Sequence, residues 1–576
     1  MKHTRYVILP ALTLLIMLLS ACGSSTSNVT TSQAAKAPTK QQILVFPIGG
    51  VRDVATLDPP LISEVYSAEA EGMLFNGMYT YNDQSKMVPD LATSYELSAD
   101  GLRWTFHLRP NLKFSDGSLL TSADVVYSID RSLQPSLKSP FAYGELAEIK
   151  DADKLNDGKI KTLIGDSLLT PDPQTVVIVT SKPAAFFMDL VGSWAVVEKS
   201  FVEKYGSHWT DHLSEGGVAG PWKLQSWSHN KSLTFVPNPY YYGPKPQLQK
   251  LVMPLYVESD TTYKDYQVNR VDFSFVPPVN VEAAKKLSDG QFRVDPSLGN
   301  AFVAMNYLVK PFDNLKVRQA FDLAINRELL ASKVWHNTVL PTYHTIPQGA
   351  QGYNPNLANL SGNKSLAGDP VRAKQLFMEG LQEEGMTPAT MPPIHIEVTV
   401  AGEQSLSDQW AVLQQMWNTA LGISVKIDVV DFNKLVTDIN GSHGNKNVMA
   451  DALGWQASPD PHSWTTLMFD PSAGSDYSNY GYNPEQRKVL ADLAKADENV
   501  KNAAERLQEY DQVERELEND VAWIVLYQDE SLCAVKPCVV GWPHNVFGQF
   551  GIPYQPDWGN IYISTQPNCA NTSSYQ

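Results

Sequence analysis

The sequence predicts an α/β protein of two or more domains, and three observations carry that prediction. At 576 residues the chain is longer than one hydrophobic core usually organises. Near its midpoint, residues 301–307 (AFVAMNY) read as a strand and residues 311–328 (PFDNLKVRQAFDLAINRE) as a helix. Val317, Ala320, Phe321, Ala324 and Ile325 fall at i, i+3, i+4, i+7 and i+8, one apolar stripe at helical period. Further on, residues 394–400, 405–421 and 423–429 read as strand, helix, strand with short joins, a βαβ unit with parallel pairing.

In chain order, Lys2 and Arg5 precede an apolar run at 6–19. That run is shorter than the roughly 20 residues of a membrane span and suits a secretory signal. Residues 23–42 are rich in Ser, Thr and Ala, lack periodicity and read as a flexible tether. A strand is expected at 43–48 and a helix at 68–78. Leu102, Trp104, Phe106 and Leu108 alternate with Arg103, Thr105 and His107, the pattern of a half-buried strand. Thr121 with Asp124 three residues later forms a capping box for the next helix. Strands are expected at 175–180, 251–257 and 271–276. At the midpoint helix, Asp313 or Asn314 is the N-cap and Pro311 stops the helix from running further back. Ser405 with Asp408 reads as another capping box. Leu406, Trp410, Leu413, Trp417 and Leu421 then make a stripe that Gly422 ends. After a strand at 451–455, Asp460-Pro461 is an N-cap followed by Pro at N1. Helices at 485–496 and 503–518 and a strand at 521–527 follow, and a loose tail is expected after 563. No internal repeat is present.

Composition narrows function. A hydrophobic content of 43% with 19% charged residues describes a folded chain, and a net charge of −17 argues against a nucleic-acid partner. No G-x-S-x-G, G-x-x-x-x-G-K-[ST], H-E-x-x-H or G-x-G-x-x-G occurs, so no enzyme activity and no cofactor are expected. His208 and His212 stand at i, i+4, but without a third ligand and flanked by glycines they read as a loop, and no metal is expected. Of the four cysteines, Cys22 belongs to the N-terminal segment. Cys533 and Cys538 are close enough for a bridge across a turn, with two free thiols as the alternative.

The run N-Y-x-x-x-P-F-D-N-x-x-V-R-Q-A-x-x-x-A-I-N-R-E from Asn306 resembles the signature of extracellular solute-binding proteins family 5, the peptide- and nickel-type binding proteins of ABC importers. The run from M-V-P-D-L-A at Met87 to Arg131 matches that family's most recognisable segment, and G-P-W-K-L-Q-S-W with N-P-Y-Y-Y-G resembles its hairpin. L-S-A-C at 19–22 is similar to a bacterial lipobox, which implies cleavage before Cys22 and lipid on its thiol. The resemblance implies a bilobed periplasmic-binding-protein fold of the large peptide-binding type, two lobes joined by a hinge plus a small extra domain. It divides the chain into a signal peptide (1–21), a tether (22–42), a first lobe (43–81, 199–301 and 521–566) with an inserted small domain (82–198), a second lobe (302–520) and a tail (567–576). It implies a monomer outside the cell, anchored to the membrane through Cys22, that captures a peptide or other solute by hinge closure and delivers it to ABC permease and ATPase subunits. A sugar or metal chelate as ligand, or a sensor or chaperone role, remains open.

The resemblance also implies ligand-binding residues. Glu64, Val65 and Tyr66 follow the first strand's loop, Phe302, Met305 and Asn306 lie on the crossing strand, and Tyr480 and Tyr482 follow a variable loop. Gly454 to Pro461 is similar to the family's G-W-x-A-D-Y-x-D-P, whose acid pairs with a peptide's α-ammonium. Trp455 keeps its match, as a stacking group or a packed strand end. The acid's position falls on Ser458 in a loop one residue shorter, so the usual ammonium anchor is missing or moved, and Asp460 reads as the helix cap.

Overall fold

Strands of the computed structural model fall into a five-, a four- and a seven-stranded sheet with two further short pairs. The structure describes residues 35–62, 65–362, 364–400, 404–471, 476–544 and 553–574. In the five-stranded sheet Ile43–Val45 runs parallel to Lys250–Tyr256. The hairpin Trp222–Ser228/Ser232–Pro237 extends that sheet antiparallel, turning through Asn230 at φ 60°. Its core gathers Phe46, Leu57, Trp209, Trp222 and Leu251, and also Trp558 and Ile563 from the far end of the chain.

The four-stranded sheet is antiparallel, in the order Ala92–Leu97, Arg103–Leu108, Thr175–Val179, Leu168–Asp172. Trp104, Phe106 and Leu108 are buried as their alternation predicts. Thr121 caps Ser122–Ser132 through the predicted box, its backbone N donating to Asp124 Oδ2 at 2.9 Å. At this sheet's start Asp90 is buried, and Asn76 Nδ2 donates to both of its carboxylate oxygens at 3.0 and 2.8 Å.

The seven-stranded sheet is built on two long strands, Phe292–Met305 and Ile524–Val535. Ile524–Val535 pairs on its other edge with Phe273–Phe275, and Phe292–Met305 pairs with Ala450–Gln456, which leads to the parallel pair Ile394–Val398/Val425–Val429. The signature helix is Leu315–Leu323, capped by Asn314, whose side chain accepts from Lys316 N and Val317 N. Phe321 packs against Trp417 and Phe377 at ring separations of 5.7 and 6.2 Å. Its buried Arg318 donates Nε to the Asp520 carbonyl at 2.9 Å and pairs with Asp520 Oδ1 at 2.6 Å. Arg327 donates Nε to the Val525 carbonyl at 2.6 Å and pairs with Asp322. Arg318 thus fastens this helix to the end of helix Ala503–Asp520, and Arg327, just beyond it, ties Asp322 to strand Ile524–Val535.

Between Pro296 and Asn300 the ladder of the two long strands loses register. Gln528 fills the gap, donating Nε2 to the carbonyls of Ser297 and Gln348 at 2.9 and 2.8 Å and accepting from Gln348 N at 2.8 Å. A Cβ on Gly299 would stand 2.6 Å from Asp529 Oδ2 and 2.9 Å from Gln456 Cγ, so a larger residue there would have to move both side chains.

Three expectations are corrected. Helix Gln404–Leu421 already includes Ser405, which is therefore not its cap; the stripe Trp410, Leu413, Trp417 and Leu421 is buried as expected. The disulfide joins Cys538 to Cys569 with Cα atoms 5.8 Å apart, and Cys533 is a buried free thiol. The reason is that Cys533 is held in the strand ladder opposite Phe275 and Arg293, whereas the chain end is drawn back to Cys538. That end is not loose: Ala570 N donates to Asp272 Oδ1 at 2.7 Å and Asn571 N to the Asn269 carbonyl at 2.9 Å. The lipid-site candidate Cys22 lies outside the described residues.

Burial pushes the Asp90 carboxyl up from 3.8 to about 7. Between those values the folded chain holds a proton that the unfolded chain lacks, so this group's contribution to stability falls as pH rises through that window. Asp90→Asn will flatten the pH dependence of unfolding free energy there, by at most about 1.4 kcal/mol per pH unit. Non-reducing peptide mapping will join Cys538 to Cys569, with Cys533 alkylated only after unfolding. Removing that bridge, which spans 31 residues, will cost about 3–4 kcal/mol in denaturant titration.

Candidate ligand-binding site

The apolar run at 184–194 (AAFFMDLVGSW) folds around the short helix Phe187–Gly192 in the small-sheet unit. Phe187 and Val191 enter that unit's core, and the start of the run faces the second lobe. Opposite it, strand Ala450–Gln456 ends and the chain turns through Ala457 to Asp460. Asp460 caps the 3-10 helix Pro461–Trp464, its Oδ1 accepting from His462 N at 2.9 Å.

The two sides meet directly. Ala185 N donates to the Asp497 carbonyl at 2.7 Å, and Phe186 stacks flat on His462 with centroids 3.5 Å apart. Ser458 Oγ donates to Asp189 Oδ2 and lies 2.9 Å from Ser463 Oγ. Arg506, on helix Ala503–Asp520, holds Asp460 with both terminal nitrogens at 2.8 and 2.7 Å. His462 Nδ1 stands 3.0 Å from Asp497 Oδ1, which also accepts from the Tyr510 hydroxyl. These charged groups are buried. Burial, and then the negative charge of Asp460, push the Asp189 carboxyl well above the usual carboxylate range. Burial also acts on Asp497, but His462 and Tyr510 hold its carboxyl below its ordinary value. Asp189 Oδ1 and Arg506 Nε are buried without a hydrogen-bond partner.

Two cavities lie elsewhere, neither lined by Asp189, Ser458 or His462. One of about 310 Å³ sits beside the register shift, between Phe275 and Val276 on one side and Trp335 on the other, with Gln456 and Asp529 in its wall. The other, of about 200 Å³, is lined by Glu71, Phe141, Glu145 and Trp194. Burial pushes the Glu71 carboxyl up to about 8. A sheltered space with aromatic walls and carboxyl groups suits an amphipathic solute carrying cationic or hydrogen-donating groups.

The pattern of the bacterial extracellular solute-binding proteins, family 5 Middle, matches residues 86–477. The chain belongs to this family. Among curated solute-binding proteins it is 29% identical over 504 residues to the periplasmic oligopeptide-binding protein OppA of Salmonella typhimurium, covering 85% of this chain and 88% of that one. It is likewise 29% identical over 545 residues to the periplasmic murein peptide-binding protein MppA of Escherichia coli, covering 91% and 96%. The solved structure of the E. coli murein tripeptide-binding protein MppA superposes with a TM-score of 0.72 at 25% identity, covering 91% of this chain and 99% of that one. The fold is the bilobed one of these periplasmic proteins.

For a family 5 binding protein, the residues implied by the signature divide sharply. Phe302 lies flat against Trp523 at 3.7 Å and Met305 is inside the second-lobe core. Asn306 Nδ2 donates to the carbonyls of Asn445 and Val448 at 3.0 and 2.7 Å. Tyr480 is buried between Tyr307 and Phe469. These four are buried in packing within the second lobe. Val65 is 40% exposed at the start of helix Val65–Glu71, Tyr66 packs on the first core, and Tyr482 is 46% exposed. Glu64 lies outside the described residues. Trp455 is half-buried with Nε1 donating to the Ser463 carbonyl at 3.0 Å, so packing accounts for it. Among the described residues of the implied set, Ser458 is the one that bonds across the meeting of the lobes. Asp189, Phe186, His462 and Arg506 were not foreseen; the signal for Asp189 was a lone acid inside an apolar run.

Arg506→Ala will leave Asp460 buried and unpaired and destabilise the protein by about 3–5 kcal/mol in chemical denaturation. The Asp460→Ala/Arg506→Ala pair will lose less than the sum of the single changes, because neither then strands a charge.

Proposed function

We propose that this chain is the solute-receiving subunit of an ABC importer and that its solute is a short peptide. The meeting of the lobes at Ser458 and Asp189 carries the reading: a polar cluster is shut between two bodies joined by two strands. Such a device traps its solute by favouring the closed arrangement, and the solute shifts the equilibrium by its differential affinity for that state. The printed names of the relatives, oligopeptide-binding and murein peptide-binding, support peptide as the class. Binding needs no bond to be made or broken, and the chain hands its solute to permease subunits driven by an ATPase.

The chain acts outside the cytoplasm as a monomer, held to the membrane by lipid on Cys22. The L-S-A-C sequence after an apolar run supports this, and no helix among the described residues is long and apolar enough to cross a membrane. The tether expected at 23–42 is shorter at its far end, since Ala37 N donates to the Ile563 carbonyl at 2.9 Å and Gln42 is buried; the stretch before Lys36 would keep the binding lobes at high local concentration beside the permease.

Native mass spectrometry of the gently purified protein tests the solute class. A ladder of peptide masses is expected on the folded protein, and a single sugar or chelate mass would overturn the peptide reading. Loading with a captured peptide at 100 times its dissociation constant will add about 2.7 kcal/mol of stability by denaturation.

A further inference from the structure

The cavity of about 310 Å³ beside the register shift has a floor set by strand register. Asp529, Ser531 and Cys533 alternate onto one face of Ile524–Val535. Pairing puts Val339 beside Asp529 and Phe275 beside Cys533 on that same face. From the far side Gln456 reaches the Asp529 carboxyl over Gly299, which has no side chain to fill the space between them. Above this polar floor the walls are apolar, formed by Phe275, Val276, Pro278, Trp335 and Leu532. Trp335 is held in place by its Nε1, which donates to Gln409 Oε1 at 2.8 Å. Asp529 and Glu530 both border the space, and among the described residues no lysine, arginine or histidine lines it. Burial pushes the Asp529 carboxyl up to about 6, against the opposing hydrogen bond from Gln456, and raises Glu530 as well. The cavity thus holds two acids and no counter-charge of the protein's own.

We propose that this cavity receives a lysine or arginine side chain of the bound peptide, with Asp529 accepting from its cationic end, so that the chain selects basic peptides. This rests on the peptide reading and deepens it. The arrangement fits a side chain and not the peptide's own terminus. Lysine and arginine carry an apolar stem that ends in a charge, which matches apolar walls over an acidic floor. An α-ammonium has no such stem and sits directly on the polar main chain. At about 30 Å³ per water, the space equals about ten waters, room for one long side chain and not for a length of peptide. The aromatic surface of Trp335 adds to the attraction for a cation. A neutral side chain of the same length would bury the Asp529 carboxyl further without a partner, so selection works by penalty as well as by attraction.

The test uses the full chain and three pools of tetrapeptides with free N-termini, identical except that one residue in every member is lysine, norleucine or glutamate. Affinities are read by calorimetry, with bound masses checked by native mass spectrometry. The wild type is expected to bind the lysine pool about tenfold or more tightly than the norleucine pool, and the glutamate pool least. Asp529→Asn is expected to remove the preference for lysine over norleucine. Ser531→Lys, which places a cation of the protein's own in the same space, is expected to remove it while Asp529 stays. If the wild type binds the lysine and norleucine pools equally, or either variant keeps the wild-type preference, the assignment fails while the peptide reading stands. If the wild type binds none of the pools, the peptide reading falls and the assignment with it. Thermal melting checks the fold of each variant. Where Asp529→Asn does not fold, Ser531→Lys carries the test, and equal binding of the two pools by the wild type overturns the assignment in either case.

Discussion

The second lobe hangs on the antiparallel pairing of Phe292–Met305 with Ile524–Val535, the strands that carry the chain into it and out again. Everything between them folds against this pair: Ala450–Gln456 alongside, the signature helix across one face, and the core of Phe302 and Trp523 on the other. A fully regular ladder through both lobes would resist bending. Here the register shift at Pro296–Asn300 breaks the backbone pairing, Pro296 offers no N–H, and one side chain, Gln528, bridges the gap. The crossing is therefore weakest in backbone bonds where the lobes would have to turn on one another, while Gln528 keeps the buried carbonyls there satisfied.

The polar contact between the lobes obeys a different constraint. Packed cores tolerate charge only when it is paired, and the second lobe pairs Asp460 with Arg506 and Asp497 with His462 and Tyr510. The small-sheet unit brings one more acid, Asp189, against that set. Phe186 on His462 supplies the apolar contact, and Asp189 leaves the surface unfinished. An unfinished contact suits a binding protein, since a fully satisfied one would hold the lobes shut without solute.

Features written in short stretches of sequence were legible. Asn314, the Thr121–Asp124 box, the Trp104–Phe106–Leu108 alternation and the 394–429 strand–helix–strand unit depend on neighbours a few residues apart, and each formed as expected. Long-range choices were not. Cys538 had a nearer thiol in Cys533, but strand pairing fixes Cys533 and the chain end delivers Cys569. Phe302, Met305, Asn306 and Tyr480 were placed by their distance along a signature, which does not say which face of a strand meets a core. Ser458 was legible as a departure from a pattern; Asp189, its partner 269 residues earlier, could emerge only from the fold.

The first core draws Leu44 and Phe46 from near the start of the described chain, Trp209 and Leu251 from its middle, and Val535, Trp558 and Ile563 from near its end. A chain synthesised from its N-terminus presents these pieces at widely separated times. The second lobe can complete once its exit strand has emerged, but the first must wait for almost the last residue. Its core closes only when Trp558 reaches Trp222, whose ring it meets edge-on at 5.3 Å.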